Sequence, residues 1–103
     1  MVAVSVACGS EDEANNLARL LVEQRLAACV QSHAITSTYR WQGEVETSHE
    51  IMLTIKTLKV KLPALEAVVK RHHGYDVPEI MAVPMVWASE DYAQWLRDAM
   101  DGQ

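Results

Sequence analysis

Two cysteines and four histidines supply the soft and borderline donor groups of this chain: Cys8, Cys29, His33, His49, His72 and His73. Side chains of these types hold copper or zinc once a thiol ionises and an imidazole presents a free nitrogen. None of them falls in a C-x-x-C, H-x-H or H-E-x-x-H pattern, so no spacing marks a ready-made metal centre. Cys8 closes one expected strand and Cys29 opens the next. The helix between them is expected to span about 27 Å at 1.5 Å per residue, too far for both thiols to share one ion. Each thiol remains a candidate for a separate soft site, and a buried free cysteine acting as a small hydrophobe is the commoner role.

His72 and His73 are adjacent, so on a helix their side chains diverge by about 100°. One ring is expected to pack and the other to face out. His73 opens the run His73-Gly74-Tyr75-Asp76-Val77-Pro78-Glu79, which puts an imidazole, a phenol and two carboxylates on one helix-to-strand junction. Loops held by rigid elements are where binding groups concentrate. The plainer alternative is structural: Tyr75 fills a gap, His73 caps carbonyls and Glu79 pairs with a lysine. Lys56, at the end of a long return strand, is expected near this loop, giving either a salt bridge with Glu79 or a pocket for a charged ligand. There is no serine elbow, P-loop or dinucleotide fingerprint. A Cys–His dyad or His73 as a base stays open as chemistry, but an enzyme is not the expectation.

These residues need a frame, and hydrophobic periodicity supplies one. Val2, Val4, Val6 and Cys8 alternate with Ala3, Ser5 and Ala7, which reads as a central strand over Met1–Cys8. Ser10-Glu11-Asp12-Glu13 has the S-x-x-E form of a capping box. It opens a helix whose stripe of Ala14, Leu17, Ala18 and Leu21 is expected to continue to about Ala28. Cys29–Trp41 and Glu44–Lys56 read as the arms of a hairpin turned at Gln42-Gly43, with Gly43 taking positive φ. Each arm extends roughly 40 Å at ~3.3 Å per residue, longer than the ~30 Å breadth of a domain this size. A second helix is expected from Val60 or Lys61 to His72, with Pro63 in its first turn and Leu62, Leu65, Val68, Val69 and His72 as its stripe. Glu79–Val86 reads as an edge strand because of Pro84. Ser89 caps a last helix carrying Tyr92, Trp95, Leu96, Ala99 and Met100. The order β-α-β-β-α-β with a C-terminal helix is the ferredoxin-like α+β sandwich with a long hairpin between its second and third strands. Right-handed crossovers put both main helices on one sheet face, so the other face, part of it within reach of the third helix, calls for a cover from another copy; the long hairpin, with Tyr39, Trp41 and Val45, either curls onto its own domain or projects to be covered by that copy.

Composition bounds the function classes. The chain has 103 residues, 50% hydrophobic against 22% charged, which fits a single folded domain over residues 1–103. Nine basic and fourteen acidic residues leave a net charge of −5, which argues against nucleic acid or an anionic membrane as partner. Lys56, Lys59, Lys61, Lys70 and Arg71 form the one basic concentration. No apolar run reaches the ~18 residues of a membrane span, and Met1–Cys8 lacks the basic start of a secretory signal. Two cysteines make no disulfide framework. A cytoplasmic protein is the expectation.

Several stretches together resemble one family. They are Leu26-Ala27-Ala28-Cys29-Val30, then Ser37-Thr38-Tyr39-Arg40-Trp41-Gln42-Gly43-Glu44, then Glu50 with Ile55-Lys56-Thr57. His73-Gly74-Tyr75-Asp76-Val77-Pro78-Glu79-Ile80 is the most specific, and Tyr92-Ala93-Gln94-Trp95-Leu96 closes the series. In this order, from Val4 to about Leu96, they resemble the CutA divalent-cation tolerance proteins. The resemblance implies a tight homotrimer whose long hairpins join neighbouring sheets, and a part in tolerance to copper and other divalent ions, with copper or zinc as ligands. It implies Tyr39, Trp41, Lys56, His73, Tyr75, Glu79 and Trp95 as lining of a shared cleft, and Cys8 and Cys29, with His73, as metal-site positions. The trimer's build is also similar to the PII signalling proteins, which implies an alternative role as an adaptor sensing a small ligand or anion. Departures from the family pattern are Gly74 in place of a proline, His33-Ala34 in place of a proline-containing bend, and Arg40 in place of a frequent aromatic.

Overall fold

The computed structural model describes residues 1–101. The chain runs through β1 (Val2–Cys8), α1 (Glu11–Glu23), β2 (Cys29–Trp41), β3 (Glu44–Thr57), a 3₁₀ turn (Lys59–Lys61), α2 (Leu62–His72), β4 (Met81–Pro84) and α3 (Glu90–Met100). The strands form one antiparallel sheet in the order β2-β3-β1-β4. This is the ferredoxin-like α+β arrangement that the element order implied.

Alternation in β1 and β3 builds the main core. Val2, Val4, Val6 and Cys8 stand opposite Thr57, Ile55, Leu53 and Ile51. All of these side chains but Thr57 pack with Ala14, Leu17 and Leu21 of α1 and Leu65, Val68 and Val69 of α2. Each fully buried Leu, Ile or Val contributes roughly 1.5–3 kcal/mol, so this layer fixes where the end of β1 sits. A smaller cluster of Ala28, Leu96 and Met100 anchors α3 at the opposite end of the sheet.

Helix α1 stops at Glu23, five residues before the expected Ala28. Arg25 takes the left-handed conformation (φ 57°). Its N–H donates to Val22 O at 3.1 Å, and the N–H of Leu26 donates to Leu21 O at 2.9 Å. This is a Schellman stop with arginine where glycine is usual. Leu21 and Leu26 pack in the same core, and the Arg25 guanidinium donates to Ala99 O at 2.9 Å. These tertiary contacts hold a conformation that local propensity disfavours, so no sequence signal marked the stop.

The hairpin follows the predicted register. Trp41 pairs with Glu44 across a two-residue turn in which Gln42 (φ 50°) and Gly43 (φ 84°) both take positive φ, as a type I′ turn requires. Only Ile51–Thr57 of β3 pairs with β1, so the outer half of the hairpin projects and the molecule measures 45 × 26 × 21 Å.

Strand β4 is shorter than the expected Glu79–Val86. It covers Met81–Pro84 and pairs only with Val2–Ser5. It is an edge strand, where the missing N–H of Pro84 breaks no inner ladder. Residues 73–80 are drawn instead across the end of β1, for a reason visible at Ala7. The sheet face away from α1 and α2 carries Ala3, Ser5, Met52, Thr54, Met81 and Val83, and Met81 and Val83 are 56% and 53% exposed.

Candidate functional site

The capping residues of α1 and the C-terminal end of α2 meet at Cys8. Ser10 caps α1, its Oγ accepting the Glu13 N–H at 3.2 Å. Glu13 returns to the N–H of Gly9 (3.1 Å) and also accepts the Gly74 N–H at 2.9 Å. One carboxylate thus ties the start of α1 to the end of α2. A Cβ on Gly74 would meet Glu13 Oε2 at 3.0 Å, so glycine permits this approach and keeps an N–H that proline lacks.

Of the two adjacent histidines, His73 is buried and His72 is exposed. His73 Nε2 lies 2.7 Å from Ala7 O, and its Nδ1 lies 3.1 Å from Tyr75 N. A carbonyl only accepts and an amide N–H only donates, so the proton resides on Nε2. Ala7 lies beyond the end of β4, and His73 satisfies a carbonyl that the edge strand does not reach.

Ligand atoms of Cys8, Glu13 and His73 lie within 4.8 Å of one another. Thiolate, carboxylate and imidazole together suit zinc or copper by type. Two of the three side chains, Glu13 and His73, also have hydrogen-bond partners within the chain. Both His73 nitrogens are engaged, Glu13 holds two amides, and burial, helped by the negative charges of Glu13 and Glu50, pushes the Cys8 thiol up to about 11.

Beside this cluster, the Tyr75 hydroxyl donates to Glu50 Oε2 at 2.8 Å, and its ring meets His73 edge-on with centroids 4.8 Å apart. Burial and the Glu50 carboxylate raise the phenol above its ordinary range. A cavity of about 720 Å³ opens here, lined by Ala7, Tyr39, Trp41, Glu50, Tyr75, Asp76 and Glu79 among others.

The remaining predicted site residues lie at the other end of the sheet. Cys29 pairs with Lys56, and Lys56 with Ala3, whereas Cys8 pairs with Ile51. Cys29 is therefore level with Ala3, five residues or about 17 Å along the strands from Cys8. Lys56 is not near the His73–Glu79 loop, contrary to the expectation. Six residues, about 20 Å, separate it from Glu50, and its Nζ donates to Gln31 Oε1 at 2.6 Å. Antiparallel pairing carries the end of β3 away from the end of β1, which explains the error. Trp95 packs on Tyr92 with ring centroids 5.6 Å apart. Tyr92 has its phenol raised by burial and by Cys29. One chain thus gathers Cys8 and His73, and separately Tyr39, Trp41, Tyr75 and Glu79, but not Cys29, Lys56 or Trp95. The sequence reading missed Glu13, counted there as a capping residue, and Glu50, whose burial no local pattern signals.

Residues 2–99 match the family model described as CutA1 divalent ion tolerance protein. The chain belongs to the CutA1 family. It is 45% identical over 96 residues to the divalent-cation tolerance protein CutA of Thermus thermophilus, covering 92% of this chain and 93% of that one. It is 40% identical over 100 residues to human protein CutA, covering 96% of this chain and 56% of the human one; there it spans little more than half of the relative. A solved structure of the Archaeoglobus fulgidus protein, described as a periplasmic divalent cation tolerance protein CutA, superposes with a TM-score of 0.95. That match has 29% identity and covers 98% of this chain and all of that one. This CutA1 chain therefore shares the fold of that structure. The family model's description names divalent ion tolerance and no catalytic activity.

Proposed function

We propose that this CutA1-family chain serves divalent-cation tolerance as a homotrimer that binds soft or borderline ions, copper or zinc, at Cys8, Glu13 and His73. The observation that carries the reading is the convergence of the three ligand atoms within 4.8 Å. A bound ion of this class would be held by thiolate, imidazole and carboxylate. To present these ligands the chain must release the Cys8 proton and give up one of the two His73 hydrogen bonds, so binding couples to proton release. Binding is the role that this convergence of ligand atoms supports.

The assembly reading rests on the projecting hairpin and the uncovered sheet face. Val86 and Trp87, just past β4, are 94% and 78% exposed, and apolar surface of this kind is what a second copy covers. A cleft holding both Trp41 and Lys56 requires two chains, since one chain separates them. Light scattering is expected to give about three times the 11.5 kDa chain mass; a clean monomer would refute the trimer. Cu²⁺ and Zn²⁺ titrations test the site. Cys8→Ser and His73→Ala are expected to weaken binding at least about tenfold, and Cys29→Ser to leave it unchanged. Unchanged affinity in the first two variants would overturn the ligand assignment. The anion-sensing alternative loses its support within one chain, because the cavity carries carboxylates where Lys56 was expected.

A further inference from the structure

We propose that His73 is a latch: when it ligates an ion together with Cys8 and Glu13, it releases the backbone of Tyr75 and, through the contact of Tyr75 with Glu50, resets the loop over residues 75–79 against the hairpin. This rests on the metal reading above and adds what the bound ion would do. The latch consists of hydrogen bonds within one chain. His73 Nδ1 accepts the Tyr75 N–H at 3.1 Å, and its Nε2–H donates to Ala7 O at 2.7 Å. A neutral imidazole has one donor and one acceptor, and both are in use.

Ligation through either ring nitrogen ends the Tyr75 bond. Through Nδ1, the lone pair that accepts the Tyr75 N–H is spent on the ion. Nε2 is the nitrogen that lies 3.9 Å from Glu13 Oε1. Ligation there gives up the Ala7 carbonyl and leaves the ring proton on Nδ1, so the Tyr75 bond goes with it. The other nitrogen of a metal-ligating histidine normally donates to a carbonyl or carboxylate. Nδ1 instead faces an N–H, so two donors would oppose each other and the Tyr75 amide has to turn away.

The surrounding contacts make this a lever. Glu13 holds the Gly9 N–H with Oε1 and the Gly74 N–H with Oε2. Ligation through Oε1 leaves Gly74 pinned, and Tyr75 is then the first residue free to turn. The Tyr75 hydroxyl donates to Glu50 Oε2 at 2.8 Å and lies so close to Gly9 that a Cβ there would stand 3.2 Å from its oxygen. Glu50 is the first residue of β3 beyond its pairing with β1, at the root of the projecting half of the hairpin. Movement of Tyr75 therefore reaches the hairpin by a single side-chain contact.

The test is a Zn²⁺ titration of the assembled protein, with binding followed by calorimetry and amide hydrogen exchange by NMR on the same samples. At saturation the Tyr75 N–H is expected to exchange at least about tenfold faster than before Zn²⁺ is added, while amides of the β1–β3 ladder keep their rates. Tyr75→Phe keeps the ring and the backbone N–H but loses the bond to Glu50. Whatever resists release also opposes binding, so this variant is expected to bind Zn²⁺ about threefold more tightly. Saturable binding that depends on Cys8 and His73 but leaves Tyr75 exchange unchanged or slower would overturn the latch and leave the metal reading standing. No saturable binding, or binding unaffected by Cys8→Ser and His73→Ala, would overturn the metal reading and the latch with it. Equal or weaker binding by Tyr75→Phe would overturn the link to the hairpin.

Discussion

At the Cys8 end of the sheet the candidate donor groups hold one another, whereas at the Cys29 end the candidates Cys29 and Lys56 stand partly exposed with few partners. His73 uses both ring nitrogens and Glu13 both carboxylate oxygens. Among the described residues, no buried side-chain nitrogen or oxygen lacks a partner. At the far end Lys56 reaches only Gln31, in an exposed contact. The two thiols show the consequence. Cys8 is fully buried and its thiol is pushed up to about 11; Cys29 is partly exposed at a strand start. Residue type does not settle whether a cysteine is a reactive group, a latent ligand or core. The charges and the burial around it do.

Substitutions at the two ends should differ in size, and denaturant unfolding of the assembled protein can rank them. His73→Ala removes one buried and one partly buried hydrogen bond, strands the Ala7 carbonyl and leaves a void. It should destabilise by about 3 kcal/mol. A loss below about 1 kcal/mol would break the contrast between the ends.

Alkaline pH should act next. The Cys8 thiol is raised from 9.0 to about 11 in the folded chain. The folded state therefore holds this proton more tightly than the unfolded state does. The associated stability is complete below pH 9 and is lost as pH rises through about 11. It amounts to about 3 kcal/mol. Tyr75, also raised, adds a loss of the same sign above pH 10. Cys8→Ala should flatten the first part of this profile and Cys29→Ala should not.

Gly74→Pro should cost about 1 kcal/mol, since it deletes the N–H held by Glu13 and crowds Oε2. The same change should shift the metal titration, because Glu13 is then freed on one side. Lys56→Ala, at the far end, should change stability by less than about 0.5 kcal/mol. A larger effect would mean that Lys56 is buried by a neighbouring copy, and would sharpen the assembly reading rather than the single-chain one.

The fold was legible because its signals are local. Alternating valines in β1, Ser10 and Ser89 as caps, Pro63 at a first turn and Gln42-Gly43 in the hairpin each depend on residues a few positions apart. The stop of α1 was not legible, because Arg25 replaces the expected glycine and is held by Leu26 in the core and by Ala99 O. The length of β4 was not legible either, since it depends on His73 taking the Ala7 carbonyl. Within the candidate site, the His73–Glu79 run was visible as a dense loop. Its neighbours Glu13 and Glu50 come from sequence positions 60 and 25 residues away from His73 and Tyr75, and no spacing rule links them.

The amino-acid sequence by itself determined the element order, the hairpin register, the family and the list of donor groups, because propensity, capping and periodicity are short-range. Only the tertiary structure decided which donors meet. The antiparallel order β2-β3-β1-β4 brings Cys8, Glu13 and His73 together and sends Cys29 and Lys56 to the opposite end. Strand direction and register set those distances, and they become fixed only when the sheet closes over its core.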